Sequence, residues 1–205
     1  MKTYPEIIPV FPLSGVIYFP KTNLPLNVFE ERYLNLVNEA YEKNKLMGMV
    51  QAKRENDSVY KIGCLGKISD YQKSKDGRVL INLTGITRFE ILNEIKTNKL
   101  YREFKVDYKM FEDDLSITSC ETKTDNLMDK AKVFFKRSGL LLNWKEFERL
   151  ESIQKINTLA MISPVTNEEK QKLLETVTLE NKINTLESII NFYLHDVDFN
   201  NRTIQ

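Results

Sequence analysis

Four prolines, Pro9, Pro12, Pro20 and Pro25, stand inside apolar sequence near the start of the chain, and they restrict its fold more than any other feature. Proline has no amide proton to give to a strand ladder, and it presses the residue before it toward extended backbone. Glu6 to Leu13 therefore reads as an edge or irregular strand. The stretch "FPKTNLPLNVFEERY", Phe19 to Tyr33, opens as an extended segment kinked twice. A segment stiffened in this way has little entropy left to lose. Its apolar side chains Phe19, Leu24, Leu26 and Phe29, with Tyr18 and Tyr33 beside them, have two uses. They can fill a core, or part of the set can line an exposed apolar groove.

At Glu30 the period changes. Tyr33, Leu36, Val37, Ala40 and Tyr41 fall on one helical face, and Glu30 and Glu31 lie in a first turn, where the helix dipole favours acids. Leu46 to Ala52 is a short apolar run, expected as a buried strand. Val59 to Tyr71 is a second strand, in which Gly63 and Gly66 mark a bulge or a close backbone approach. Asp76-Gly77 supplies a tight turn between two strands, the second being Arg78 to Thr84. Thr87 to Ile95 and Tyr101 to Met110 complete the β pattern, the last alternating Phe104, Val106, Tyr108 and Met110 with charged residues. After Asp113 the pattern is helical. Helices are expected over Thr122 to Arg137, Trp144 to Ile162 behind the Asn143–Glu146 cap, Asn167 to Glu175 behind the Thr166–Glu169 capping box, and a last helix carrying Leu179, Ile183, Leu186, Ile190 and Tyr193. Strands first and helices afterwards make an α+β chain, with a β-rich domain over residues 1–113 and a helical one over 114–205.

At 205 residues the chain is long enough to bury roughly 70% of its unfolded surface without staples. A net charge of +1 argues against a strongly electrostatic partner such as duplex DNA. Cys64 and Cys120 form neither a metal motif nor a disulfide framework and read as buried thiols in a reducing compartment. No run of about 18 apolar residues occurs and no leader pattern opens the sequence, so a cytoplasmic protein without a membrane span is expected. The one histidine, His195, has no nucleophile motif to serve and reads as a surface residue. "GCLGKIS", Gly63 to Ser69, has two residues between its glycines where a phosphate loop needs four. Neither a metal nor a cofactor is expected. Glu112-Asp113-Asp114 reads as a solvated loop at the domain boundary. Lys53, Arg54 and the run from Lys73 to Arg78 are basic and near turns, and with Tyr71 they keep an RNA contact open as an alternative.

Several blocks, in order, resemble the N-terminal, substrate-binding domain of Lon-type ATP-dependent proteases. "IPVFPLSGVIYFP", Ile8 to Pro20, is similar to the family's Pro-Leu-Phe-Pro-Leu opening with its later Phe-Pro. "LPLNVFEERY", Leu24 to Tyr33, is similar to Leu-Pro-Leu-x-Ile-Phe-Glu-x-Arg-Tyr. "YKIGCLGKI", "DGRVLINLTGITRFEI" and "EKQKLLE" match further blocks at Tyr60 to Ile68, Asp76 to Ile91 and Glu169 to Glu175. The family often has Pro-Gly where this chain has Pro20-Lys21, and proline where it has Glu31. The ATPase and Ser-Lys protease modules of full-length members have no counterpart in this sequence. The resemblance implies a PUA-like β pseudo-barrel followed by a helical bundle. It also implies a non-catalytic module that binds unfolded or degradation-bound polypeptide, as an adaptor or chaperone-like holder, with a separate full-length protease and an oligomeric state as possible further partnerships. The PUA-like relationship is the other ground for the RNA alternative. Candidate peptide-binding residues are Tyr18, Phe19, Leu24, Leu26, Phe29 and Tyr33. Arg32, Arg78 and Arg88, placed by these blocks, are expected to fix the helix and hairpin through carboxylates or carbonyls, with Glu30 a partner, or else to grip a peptide backbone.

Overall fold

The computed structural model describes residues 4–53, 58–115 and 124–202, with side chains to residue 195; Arg54, Cys120 and Thr122 lie outside the described residues. Six strands and seven helices are present among them. The chain divides into two compact units, Met1–Ser116 and Ile117–Gln205.

The first unit is a β barrel built from β1 (Ile7–Leu13), β2 (Asn23–Val28), β3 (Leu46–Gln51), β4 (Ile62–Lys73), β5 (Val79–Ile95) and β6 (Arg102–Asp107). The strand order is β2-β5-β4-β3-β1-β6, and β5 also pairs with β6. Five strands thus close on themselves, while β2 is added at the outside along the first half of β5. Ile8, Val10, Val50, Leu65, Phe89, Phe104 and Val106 meet in the barrel core, each of the five closed strands contributing. Each such side chain supplies about 1.5–3 kcal/mol of burial.

β1 is no edge strand. It pairs in parallel with β3 over Val10 to Leu13 and antiparallel with β6 over Ile7 to Val10. The two ladders are staggered and overlap only at Val10, which is how the strand carries two prolines. Glu6 accepts from Val106 and Leu13 accepts from Ala52, so even-numbered residues face β6 and odd-numbered residues face β3. Pro9 then turns its nitrogen toward β3 before that ladder begins, and Pro12 turns its nitrogen toward β6 after that ladder has ended. β2 is an edge strand. Thr22 accepts from Gly85, which points Pro25 at the unpaired side.

The hairpin strand expected over 78–84 and the further strand over 87–95 are one strand. β5 runs unbroken for 17 residues, from the Gly77 turn through Gly85, pairing first with β2 and then with β6. Gly63 and Gly66 are sites of close approach. A Cβ at Gly63 would stand 2.5 Å from the Met49 carbonyl oxygen, and one at Gly66 would collide with the Tyr18 hydroxyl. A register shift also falls between Leu65 and Gly66.

α1 (Glu31–Glu42) packs on β1 and β3, burying Tyr33, Leu36, Val37 and Ala40. The unit ends in a 3-10 helix, Lys109–Leu115, lying on β5. A boundary at residue 113 cuts this helix, and Asp114 belongs to the barrel because its carboxylate binds Arg88.

The second unit holds α2 (Asp125–Arg137), α3 (Trp144–Phe147), α4 (Ser152–Ile162), α5 (Asn167–Glu175) and α6 (Leu179–Arg202). The single helix expected over 144–162 is two. Asn143 does cap Trp144, accepting from the Glu146 amide, but the helix stops after Phe147 and a new one begins at Ser152. Thr166 and Glu169 form a reciprocal capping box on α5. Ile183, Leu186 and Ile190 of α6 are buried, and α6 packs on α2, α4 and α5. Among the described residues no helix is long and apolar enough to cross a membrane.

Candidate functional site

The segment between β1 and β2 decides where the apolar candidates go. Ile17 to Pro20 is buried, with Tyr18 at 2% exposure and Phe19 at 0%. It runs where β4 and β5 present Gly66 and Gly85, and a Cβ at Gly85 would strike the Phe19 carbonyl oxygen. The absence of two side chains makes the space that Tyr18 and Phe19 fill. Leu24 faces inward opposite Leu83, and Tyr33 stacks on Phe11 at 3.9 Å between ring centroids while donating to the Pro12 carbonyl. Tyr18, Phe19, Leu24 and Tyr33 are thus core residues, and none lines an open groove. Burial pushes the Tyr18 hydroxyl well above the ordinary tyrosine range, with the nearby Cys64 adding to the effect, and this hydroxyl has no hydrogen-bond partner among the described residues.

The turn after Phe19 places a residue in left-handed backbone. Thr22 donates its amide to the Phe19 carbonyl, with Pro20 second and Lys21 third in the turn, and Lys21 has φ of +60°. Proline followed by a left-handed residue is the pattern of a type II turn, which glycine fits without strain.

Leu26 and Phe29 remain reachable. Leu26 is half-buried beside Ile81, and Phe29, just past the end of β2, is 65% exposed. The ladder sets Asn27 against Leu80, whose side chain is 45% exposed on the outer face of β5. Phe29 follows directly on β2, whose last ladder pair is Val28 with Val79, so it stands at the same end of that ladder as Leu80. Ile7, Leu92 and Leu100 are exposed too. Scattered apolar residues are ordinary on a surface. Phe29 and Leu80 differ because both stand at one end of the β2–β5 ladder, beside a proline-stiffened edge. Alternation alone does not single out Leu80, whose signal is an apolar residue on the solvent phase of the run Val79, Ile81, Leu83.

The four polar candidates occupy three separate places. Arg32 donates to Glu30 at 3.0 Å on the surface and covers the Tyr33 ring, its guanidinium carbon 4.5 Å from the centroid. Arg78 donates to Asp76 at 2.7 Å at the exposed hairpin tip. That contact holds the Asp76 carboxyl below its usual range and raises the guanidinium. Arg88 is buried. Its Nε and Nη2 bond the two oxygens of Asp114 at 2.9 and 2.8 Å, its own amide donates to the same carboxylate, and its guanidinium lies 4.2 Å from the Phe111 ring. Asp114 is therefore not part of a solvated loop: its carboxylate fastens the 3-10 helix to β5.

A further network joins α1 to the turn before β6. Glu39 accepts from Lys43, Lys99 and Tyr101 at 2.6 to 2.8 Å, and Lys99 also donates to Glu103. Hydrogen bonds from Lys43, Lys99 and Tyr101 draw the Glu39 carboxyl down to about 2. Tyr101 is pushed up to about 12, by burial first and by its bond to Glu39 second. Burial opposes the charge of Lys99, yet its carboxylate partners prevail and raise it. His195 is exposed on α6.

A closed β barrel with one added edge strand, followed by a helical unit, and with an apolar surface pair at that edge, defines a class of α+β module. The family model described as the ATP-dependent protease La (LON) substrate-binding domain matches residues 7–191, and the chain belongs to that family. It is 25% identical over 214 aligned residues to the Lon protease of Syntrophus aciditrophicus (strain SB), covering 97% of this chain and 26% of that one. It is 26% identical to the Lon protease of Dictyoglomus thermophilum over 87% of this chain and 23% of that one. The chain thus spans about a quarter of the length of the curated relatives it matches. Among solved structures, the Lon N-terminal domain protein from Xanthomonas campestris superposes with a TM-score of 0.65 at 20% identity, covering 89% of this chain and 97% of that one. The N-terminal domain of Mycobacterium avium complex Lon protease gives 0.61 at 18%, over 90% and 98%. These two likenesses establish the shared fold.

Proposed function

We propose that this chain is a non-catalytic module that holds unfolded or degradation-bound polypeptide segments, working as an adaptor or chaperone-like holder for an ATP-dependent peptidase. Family membership supports substrate binding. The observation that carries the reading to a surface is the exposure of Phe29 and Leu80 at one end of the β2–β5 ladder. Two apolar contacts give roughly 3–6 kcal/mol gross. Association costs of about 4–15 kcal/mol oppose them. Binding through this surface is therefore weak and tolerant of sequence, which suits a holder of many clients.

Titration of a labelled, aromatic-rich unfolded polypeptide, followed by anisotropy, tests the reading. Binding in the range of about 10–500 micromolar is expected, and Phe29→Ala should weaken it about fivefold or more. Leu80→Ala should weaken it less. Absence of binding across that range, or binding indifferent to both substitutions, would sink the proposal. The RNA alternative gains no support from the hairpin tip, where Arg78 is already engaged by Asp76.

A further inference from the structure

The helical unit contains a cavity of about 330 Å³ between α2, α3 and α4. Its apolar lining is Met128, Trp144 and Phe147. The indole is held edge-on between Phe135 and Phe147, at 5.8 and 5.5 Å between centroids, and stays half-buried. Lys132 stands 5.8 Å over the indole and is ion-paired with Glu148 at 3.1 Å. Those two charges cancel at the rim. The α2 wall adds Asp125 and Asp129, whose carboxylates have no hydrogen bond or ion pair among the described residues. Asp125 is in the first turn of α2, where the helix dipole accounts for it. Asp129 is one turn further on and has no such support. Lys155, on α4, is a third wall residue and is unengaged among the described residues.

We propose that this cavity binds the side chain of an arginine or lysine carried by a polypeptide. The aliphatic stem lies against Met128 and Trp144, as long cationic side chains cover apolar surface while keeping the charged head outside. The head meets Asp129 and Asp125, and Lys155 donates to the peptide carbonyl of the same residue. The position of Lys132 shows that this indole already accepts a cation over its face. An acidic side chain would face two carboxylates against the one unengaged ammonium of Lys155, and an uncharged one would leave the carboxylates unanswered. The inference rests on the reading that the chain holds polypeptides, but it uses a different surface from Phe29 and Leu80.

Trp144 is the sole tryptophan, so its emission reports on the cavity directly. N-acetyl-arginine amide should produce a saturable change in emission at millimolar concentration. N-acetyl-citrulline amide, of the same shape without the charge, should not. In Asp129→Asn the response should need about fivefold more ligand, and added salt should have the same direction of effect. Asp125→Asn provides a second variant, and thermal melts show that each one folds. No response at about 10 mM, where a millimolar site is filled, would overturn the proposal. So would equal responses to arginine and citrulline, or a response unmoved in both aspartate variants. Phe29→Ala should leave the Trp144 response unchanged. A client without basic residues tests the edge surface alone, so the two proposals can fail separately.

Discussion

The barrel unit buries Arg88 against a carboxylate, whereas the helical unit buries Lys182 with its ammonium donating to the amide oxygen of Asn157 at 2.8 Å. The first pairing joins residues 26 positions apart, with opposite charge and two-pronged geometry. The second, 25 positions apart on α4 and α6, includes a bond to a neutral amide oxygen. A closed barrel needs its ends fastened, and the Arg88–Asp114 pair does this for the 3-10 helix by tying it to β5. The helical unit combines local devices, among them the Asn143 cap and the Thr166–Glu169 box, with apolar packing along α6 and with exposed or half-buried bonds such as those from Asn126 and Lys130 to Glu187. The difference teaches that similar burial of a cation can carry different amounts of the fold.

Removing one partner of the barrel pair should have the largest effect. Asp114→Ala leaves a guanidinium buried without its carboxylate and should cost about 3–5 kcal/mol in urea unfolding. Arg88→Met combined with Asp114→Leu should recover most of that loss, because no charge is then left inside. A cost below about 1 kcal/mol for Asp114→Ala would show that the 3-10 helix is held by packing alone. In the helical unit, Lys182→Met keeps the stem and removes the ammonium. It should cost about 1–3 kcal/mol, because the Asn157 oxygen loses the ammonium that donates to it. Should Lys182→Met prove more damaging than Asp114→Ala, the contrast between the units would be reversed.

The same contrast runs through what the sequence made legible. Local signals were readable. The Thr166–Glu169 box opens a helix over Asn167 to Glu175, the Asp76-Gly77 turn stands between β4 and β5, and the glycines of β4 mark close approaches. Facts that depend on distant partners were not. Pro9 and Pro12 signal a strand that cannot pair fully, yet only the stagger of two ladders shows that β1 sits inside the barrel. Gly66 announces that something comes near, but not that it is Tyr18, 48 positions earlier in the chain. The candidate site divides in the same way. A run of apolar residues around prolines was readable, but which of them face inward depends on the register of β2 against β5, which buries Leu24, and on where that ladder ends, which leaves Phe29 outside it.

Lys21 gives a smaller test that sharpens the view of the barrel as the tightly specified unit. Its left-handed backbone costs a side chain about 1–2 kcal/mol, and glycine returns part of that through its greater freedom when unfolded. Lys21→Gly should therefore stabilise the protein by about 0.5–1 kcal/mol, visible as a higher urea midpoint at unchanged slope. A loss of stability would mean that the lysine side chain contributes more than its backbone costs.

The Glu39 network should give the smallest effect at neutral pH, because about a third of that side chain, 34%, is open to solvent. Its sign is nonetheless fixed by the direction of each shift. Glu39 is drawn down to about 2 from an ordinary value near 4.5, so the unfolded chain takes up a proton first as pH falls. Its contribution is complete above about pH 4.5 and disappears as pH drops toward 2. Tyr101 is shifted the other way, from 10 to about 12, so its contribution is complete below pH 10 and is lost as pH rises from there toward 12. In Glu39→Gln the stability difference from the parent should be present at pH 6, shrink between pH 4.5 and 2, and narrow in added salt. A difference that stays constant across that acid window would assign the role of Glu39 to neutral hydrogen bonding, and the charges at this corner of the barrel would then matter less than the carboxylate sealed behind Arg88.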